Sequence, residues 1–178
     1  MRFLVFQHIA LEHPGIFRDF FRRDSVAWDA VELDEGEPIP ALDGYDALWV
    51  MGGPMDVWEQ DEHPWLAAEQ RAIREAVVDR GMPYMGICLG HQLLGAALGG
   101  RVGKAKQAEV GILDVELTEA GRADPIFDGL AARFKALQWH GAEVSQPPAG
   151  ATVLAQSPLC GVQAMRYGRQ AYGMQYHT

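Results

Sequence analysis

The stretch Gly86-Ile87-Cys88-Leu89-Gly90-His91-Gln92-Leu93-Leu94 decides how this chain is to be read. A cysteine stands between two glycines, after a short apolar run and before a helix-like one. Where a strand ends, turns sharply and starts a helix, the turning side chain is left exposed, and small neighbours keep the backbone clear of it. Gly86-Ile87-Cys88-Leu89-Gly90 has the Gly-x-Ser-x-Gly spacing of such an elbow with sulfur in place of oxygen, which marks Cys88 as a thiol nucleophile. A buried structural cysteine is the competing reading, but it would not require both glycines.

Upstream of the elbow, short apolar runs alternate with longer amphipathic ones, the pattern of βαβ units stacked into a parallel sheet. Strands are expected over 2–7, 26–33, 47–51 and 83–87, and helices over 16–23 and 64–80. The longer helix has Pro64 near its first turn, Leu66, Ile73 and Val77 on one face, and Gly81 then Pro83 to stop it. Residues 91–98 are apolar nearly all round and end in Gly99-Gly100, so the helix after Cys88 is expected to be buried. Beyond Arg101, the segments 112–118, 133–139, 142–146, 152–156, 161–167 and 171–176 are strand-sized and predict an antiparallel extension. The fold expected is α/β: an open, doubly wound, mostly parallel sheet of flavodoxin-like type. It has helices on both faces, a strand-rich C-terminal half, and its site outside the carboxyl ends of the strands.

At 178 residues the chain suits one domain with one core, and a single domain over 1–178 is expected. Lysine and arginine number 15 against 24 aspartates and glutamates, a net charge of −9 with no basic block, which argues against nucleic acid or an anionic membrane as partner. Cys88 and Cys160 are the two cysteines, too few for a disulfide framework, and they point to a reduced, cytoplasmic setting. No segment approaches the roughly 18 apolar residues of a membrane span, and the opening run reads as a buried strand rather than a signal peptide.

An ordinary thiol titrates near 8.5, so a nucleophilic cysteine needs help to ionise. The following helix would turn its positive N-terminal end toward the sulfur, and a histidine could complete a thiolate–imidazolium pair. Among His8, His13, His63, His91, His140 and His177, His91 lies on the helix beside the elbow and is expected to serve packing. His177 follows an apolar strand where strand-end catalytic residues sit in open α/β sheets, and is the candidate base. His8 and His13 flank Glu12, but no third ligand has a recognisable spacing, so no metal site is expected there. Cys160 reads as a small strand-edge packing residue. The acidic, aromatic loop Trp58, Glu59, Asp61, Glu62 and His63 is a solvated loop in its plain reading, and a determinant of substrate or docking in its sharper one.

The elbow, the segment Val50-Met51-Gly52-Gly53-Pro54-Met55 and the terminal Tyr172-Gly173-Met174-Gln175-Tyr176-His177 resemble, in order and spacing, the class I glutamine amidotransferase domain. The likeness covers nearly the whole chain and is nearest to stand-alone domains similar to the glutaminase half of GMP synthase. It implies a Cys-His-Glu triad that hydrolyses the side-chain amide of glutamine through a γ-glutamyl thioester and releases ammonia. In that likeness Cys88 is the nucleophile, and His177 is the base that later protonates the departing ammonia. The backbone N–H groups of Gly53 and Leu89 form the oxyanion hole, and Gly52 with Gly53 lets the backbone approach the substrate. Gln92 and the backbone of a Trp139-His140-Gly141 turn hold the α-amino and α-carboxylate end, His140 being assigned to shape.

The resemblance implies a small-molecule substrate and no metal or organic cofactor. Because the chain has no Gly-x-x-x-x-Gly-Lys phosphate loop, an ammonia-accepting synthetase would be a separate molecule. The family's terminal motif is His-Pro-Glu, whereas Thr178 takes the proline position here, so the triad glutamate is expected past Thr178 in a longer protein. Glu109 and Glu143 are the substitutes within the chain, both read as surface or turn carboxylates. Two other functions fit these residues. One is a γ-glutamyl hydrolase acting on γ-glutamyl amines or peptides; the other is a non-catalytic binding or regulatory module of the same fold.

Overall fold

A computed structural model describes residues 1–177, and Thr178 lies outside the described residues. The chain runs β1 (Arg2–Gln7), α1 (Phe17–Arg23), β2 (Ala27–Glu32), β3 (Ala47–Val50), α2 (Trp65–Arg74), β4 (Tyr84–Ile87) and α3 (Leu89–Ala97). It continues as β5 (Arg101–Leu117), α4 (Glu119–Arg122), β6 (Arg133–Gln146), β7 (Ala151–Gln156), β8 (Ala164–Tyr167) and β9 (Ala171–Met174). The nine strands form one sheet in the order β2-β1-β3-β4-β9-β8-β7-β5-β6. From β2 to β9 the pairing is parallel, and from β9 onward it is antiparallel. The strand order reverses between β1 and β3, which opens a crevice at their carboxyl ends where ligands bind in such sheets.

Alternation along the parallel strands divides the core into two layers. Leu4, Phe6, Leu48 and Val50 pack with Leu66 and Ile73 of α2 and Leu93 and Leu94 of α3. On the other face, Phe17 and Phe21 of α1 meet the Trp49 ring edge-on at 4.9 and 5.1 Å. Helices therefore cover both faces, as expected, and α3 is buried over most of its length. No helix among the described residues is long and apolar enough to cross a membrane.

Four expectations need correction. The helix expected over 64–80 is α-helical only to Arg74 and continues as a π-helical turn, Glu75–Asp79. There the Arg80 N–H donates to the Glu75 carbonyl and the Met82 N–H to that of Ala76, on either side of Gly81, whose φ is positive. Second, β5 starts at Arg101 and not at 112. Residues 101–111 lack alternation because most of this ribbon is solvated, and pairing with β6 supplies its backbone partners. Third, residues 133–146 form one strand, so Trp139-His140-Gly141 is extended backbone inside β6 and not a turn. Cys160 likewise lies in the loop before β8, where burial pushes its thiol up to about 12.

Candidate active site

Cys88 sits between the end of β4 and the start of α3 with φ +51° and ψ −101°, a strained backbone conformation for a residue with a side chain. The flanking glycines explain how the elbow closes. A Cβ on Gly86 would lie 2.5 Å from the Gly90 carbonyl and 2.8 Å from the His91 nitrogen, and one on Gly90 would run into the Val50 carbonyl. Further bonds fasten the turn. Tyr84 donates to the Gly90 carbonyl at 2.8 Å, the Gly90 N–H reaches the Met51 carbonyl at 3.2 Å, and the Cys88 N–H reaches the Met174 carbonyl at 2.8 Å. The elbow thus ties β3, β4 and β9 together at their carboxyl ends.

Two cavities meet at Cys88. One, of about 380 Å³, is lined among others by Gly53, Cys88, Gln92, Trp139, His140 and Gly141. The second, of about 370 Å³, is bordered by Glu12, Gly53, Cys88, Leu137, Trp139 and His177. The fold therefore brings most of the sequence candidates to one place, with Cys88, Gly53 and Trp139 shared by both cavities. Gly52 lies just behind, and a Cβ there would be 2.6 Å from Glu12 Oε2. Leu89 is buried at the start of α3, directly after Cys88. The acidic loop Trp58 to His63 lines neither cavity; Pro54, Met55 and Asp56, which precede it, line the first.

His177 is anchored by its own backbone, its N–H reaching the Leu137 carbonyl of β6 at 2.8 Å. Its Nδ1 lies 3.8 Å from Glu12 Oε2. The carboxylate beside His177 is therefore Glu12, on the loop between β1 and α1, and not the substitutes Glu109 or Glu143. Glu109 is buried, which corrects its reading as a surface carboxylate. It accepts from Ser157 Oγ and Gln163 Nε2, each at 2.8 Å, and lies 3.2 Å from His140 Nε2. His140 in turn points Nδ1 toward the Ala142 carbonyl at 3.0 Å, and its position is that of a brace behind the cavity wall.

Gln92 is committed through its amide nitrogen, 3.2 Å from the Ala142 carbonyl and 3.1 Å from Gln175 Oε1. Its carbonyl Oε1 is the atom left for a ligand, and it suits a cationic donor such as an α-ammonium. Gln175 passes the chain of bonds on, its Nε2 lying 3.6 Å from Cys88 Sγ. Burial and then the Glu12 carboxylate push the Cys88 thiol up to about 12, against smaller opposing effects from the Leu89 N–H and Gln175. Burial and Glu12 thus outweigh the expected activation by the helix end. The same burial holds His91 neutral, down at about 4 and wedged against Gly173, in keeping with a packing role.

Gln175 and Glu69 were not singled out from sequence, and His8 and Glu12 were weighed only as part of a metal site and set aside. Gln175 carried a signal, being a polar residue two places before His177 in an apolar strand, whereas Glu69 was visible only as an ordinary polar residue.

Known proteins resemble this chain in sequence and fold. The description "Glutamine amidotransferase class-I" matches residues 20–178. The chain is 35% identical over 182 residues to a glutamine amidotransferase-like protein of Salmonella typhimurium, covering 99% of this chain and 75% of that protein. Against one of the subunits of the glutamine-hydrolysing GMP synthase of Sulfolobus acidocaldarius it is 33% identical over 150 residues, covering 84% and 75% of the two chains. A crystal structure of a glutamine amidotransferase from Thermotoga maritima superposes with a TM-score of 0.91 at 31% identity, over 99% of this chain and 75% of that one.

Proposed function

We infer that this chain, which belongs to the class-I glutamine amidotransferase family, hydrolyses the side-chain amide of glutamine through a γ-glutamyl thioester on Cys88. The observation that carries the reading is the strained Cys88 elbow opening onto the same cavity as Gly53 and His177. Because burial keeps the thiol protonated, His177 acts as a general base on substrate binding rather than as a standing imidazolium partner. The thiolate then attacks the amide carbonyl, and the oxyanion is received by the N–H groups of Gly53 and Leu89. His177 returns its proton to the leaving nitrogen, ammonia departs, and water attacks the thioester to release glutamate.

Glu12 is the carboxylate placed to steady His177 as it charges. The cavity shared by Gln92 and the extended Trp139-His140-Gly141 backbone receives the α-amino and α-carboxylate end of the substrate. The relatives named as GMP synthase subunits support delivery of the ammonia to a separate synthetase. A second reading, hydrolysis of γ-glutamyl amines, is favoured by the room on the His177 side, where Ile9, Leu11 and Leu137 offer apolar wall to a larger leaving group.

Incubation with glutamine, with ammonia and glutamate measured together, tests the main reading. Equal release of both, abolished in Cys88→Ala, is expected. Turnover of γ-glutamyl amines without any from glutamine would put the second reading first, and turnover that persists in Cys88→Ala would remove the nucleophile.

A further inference from the structure

His8 and Glu69 are both fully buried, and the reaction outlined above uses neither. His8 stands at the carboxyl end of β1, facing β3 across the crevice where the strand order reverses. Its Nδ1 lies 2.9 Å from the Gly52 carbonyl, and its Nε2 lies 2.9 Å from Glu69 Oε1 on α2. Trp65 stacks on the ring with centroids 5.4 Å apart and planes 19° apart, so the ring has one plane and both nitrogens have fixed targets.

The Gly52–Gly53 peptide needs such a fixture. It joins two glycines, whose backbone rotates more freely than that of any other residue pair. It is trans, and in a planar trans peptide the carbonyl of one residue and the N–H of the next point in opposite directions. Drawing the Gly52 oxygen toward His8 therefore turns the Gly53 N–H away from His8. That N–H has no protein acceptor among the described residues, and Gly53 borders both cavities that meet at Cys88. A Cβ on Gly53 would lie 2.8 Å from His8 Cβ and 3.0 Å from Leu89 Cδ2, so the two residues are packed face to face.

We propose that His8, held by Glu69, is the positioning residue that clamps the Gly52–Gly53 peptide with its N–H aimed at the oxyanion. The proposal rests on the reading of Gly53 as an oxyanion donor. The direction in which the ring's titration is shifted agrees with the geometry. Burial alone would lower the titration of His8, but the Glu69 carboxylate and the bonds to Glu69 and Gly52 outweigh it and raise it above the ordinary histidine value. The two facing acceptors, the Gly52 carbonyl and the Glu69 carboxylate, require both ring nitrogens to donate.

The two nitrogens can be separated by substitution, since the asparagine amide nitrogen overlays Nδ1 and the glutamine amide nitrogen overlays Nε2. Glu69→Gln is added to each variant so that no lone buried charge remains. His8→Asn/Glu69→Gln keeps a donor for the Gly52 carbonyl, whereas His8→Gln/Glu69→Gln keeps only the bond to residue 69. The probes are γ-glutamyl p-nitroanilide, whose reaction with Cys88 passes through an oxyanion, and iodoacetamide, whose displacement by sulfur does not. The clamp predicts that the asparagine variant acylates within about tenfold of wild type. The glutamine variant is expected to lose about 10²–10³ in acylation, with alkylation of Cys88 unchanged in both. Equal acylation by the two variants, or an equal loss in acylation and alkylation, overturns the clamp while the parent reading stands. A wild type that is alkylated but never acylated overturns the parent reading, and the clamp with it.

Discussion

Glu12 acts on Cys88 and His177 in opposite senses. Its carboxylate opposes ionisation of the thiol, yet it lies beside the imidazole that must take the proton. Glu12→Gln is therefore expected to speed alkylation of Cys88 by iodoacetamide by up to about tenfold, and to slow ammonia release from glutamine by about 10–10². Rates that move together in either direction would contradict this division. With the thiol at about 12, wild-type alkylation should rise about tenfold per pH unit from 7 to 10, since only thiolate reacts. The glycines make a second residue-scale test. Gly90→Ala must move the Val50 carbonyl, and is expected to cost about 1–3 kcal/mol or more in a urea titration. The elbow was legible in sequence because its chemistry is local: spacing alone calls for small residues on both sides of Cys88. Glu12 was not, because the loop that carries it meets His177 only after β1 and β9 are placed in one sheet.

At the scale of elements, the parallel strands and α3 were read nearly to their ends, since each has apolar alternation or an apolar surround. The β5–β6 ribbon was read poorly. Its outer face carries Val110, Ile112, Leu137 and Trp139 exposed, and then the ion pairs Asp114–Lys135 and Glu116–Arg133, so apolar periodicity does not mark the buried side. Its inner side instead holds the polar set of Glu109, Gln138 and His140, against which Gln163 packs from the segment before β8. The two sides should differ sharply in energetic weight. Lys135→Ala removes a solvated pair and is expected to change stability by under about 1 kcal/mol. Glu109→Ala removes the buried acceptor of Ser157 Oγ and Gln163 Nε2 and the carboxylate beside His140 Nε2, and is expected to cost about 1–3 kcal/mol. Denaturant midpoints of the two variants decide this, and comparable losses would contradict the assignment of Glu109 as a buried brace.

For the whole molecule, two buried histidines tilt stability with pH in different windows. His91 titrates at about 4 in the folded protein, against 6.5 ordinarily. The folded state thus binds fewer protons, and the stabilisation is present above 6.5 and lost as pH falls from about 6.5 to about 4. Its size is about 3 kcal/mol. His8 is shifted upward, so its contribution is complete below 6.5 and is lost as pH rises through its raised value. Unfolding by urea at a series of pH values should show the acid loss, and His91→Gln should flatten it between pH 4 and 6.5. An unchanged acid slope in that variant would place the loss elsewhere.

The central claim is that glutamine is cleaved through a covalent bond to Cys88, and mass spectrometry of the protein quenched during turnover tests it most directly. A γ-glutamyl adduct on the peptide containing Cys88 is predicted, forming no slower than ammonia appears and absent from Cys88→Ala. Ammonia release with no adduct, or with the adduct on another residue, would contradict the account.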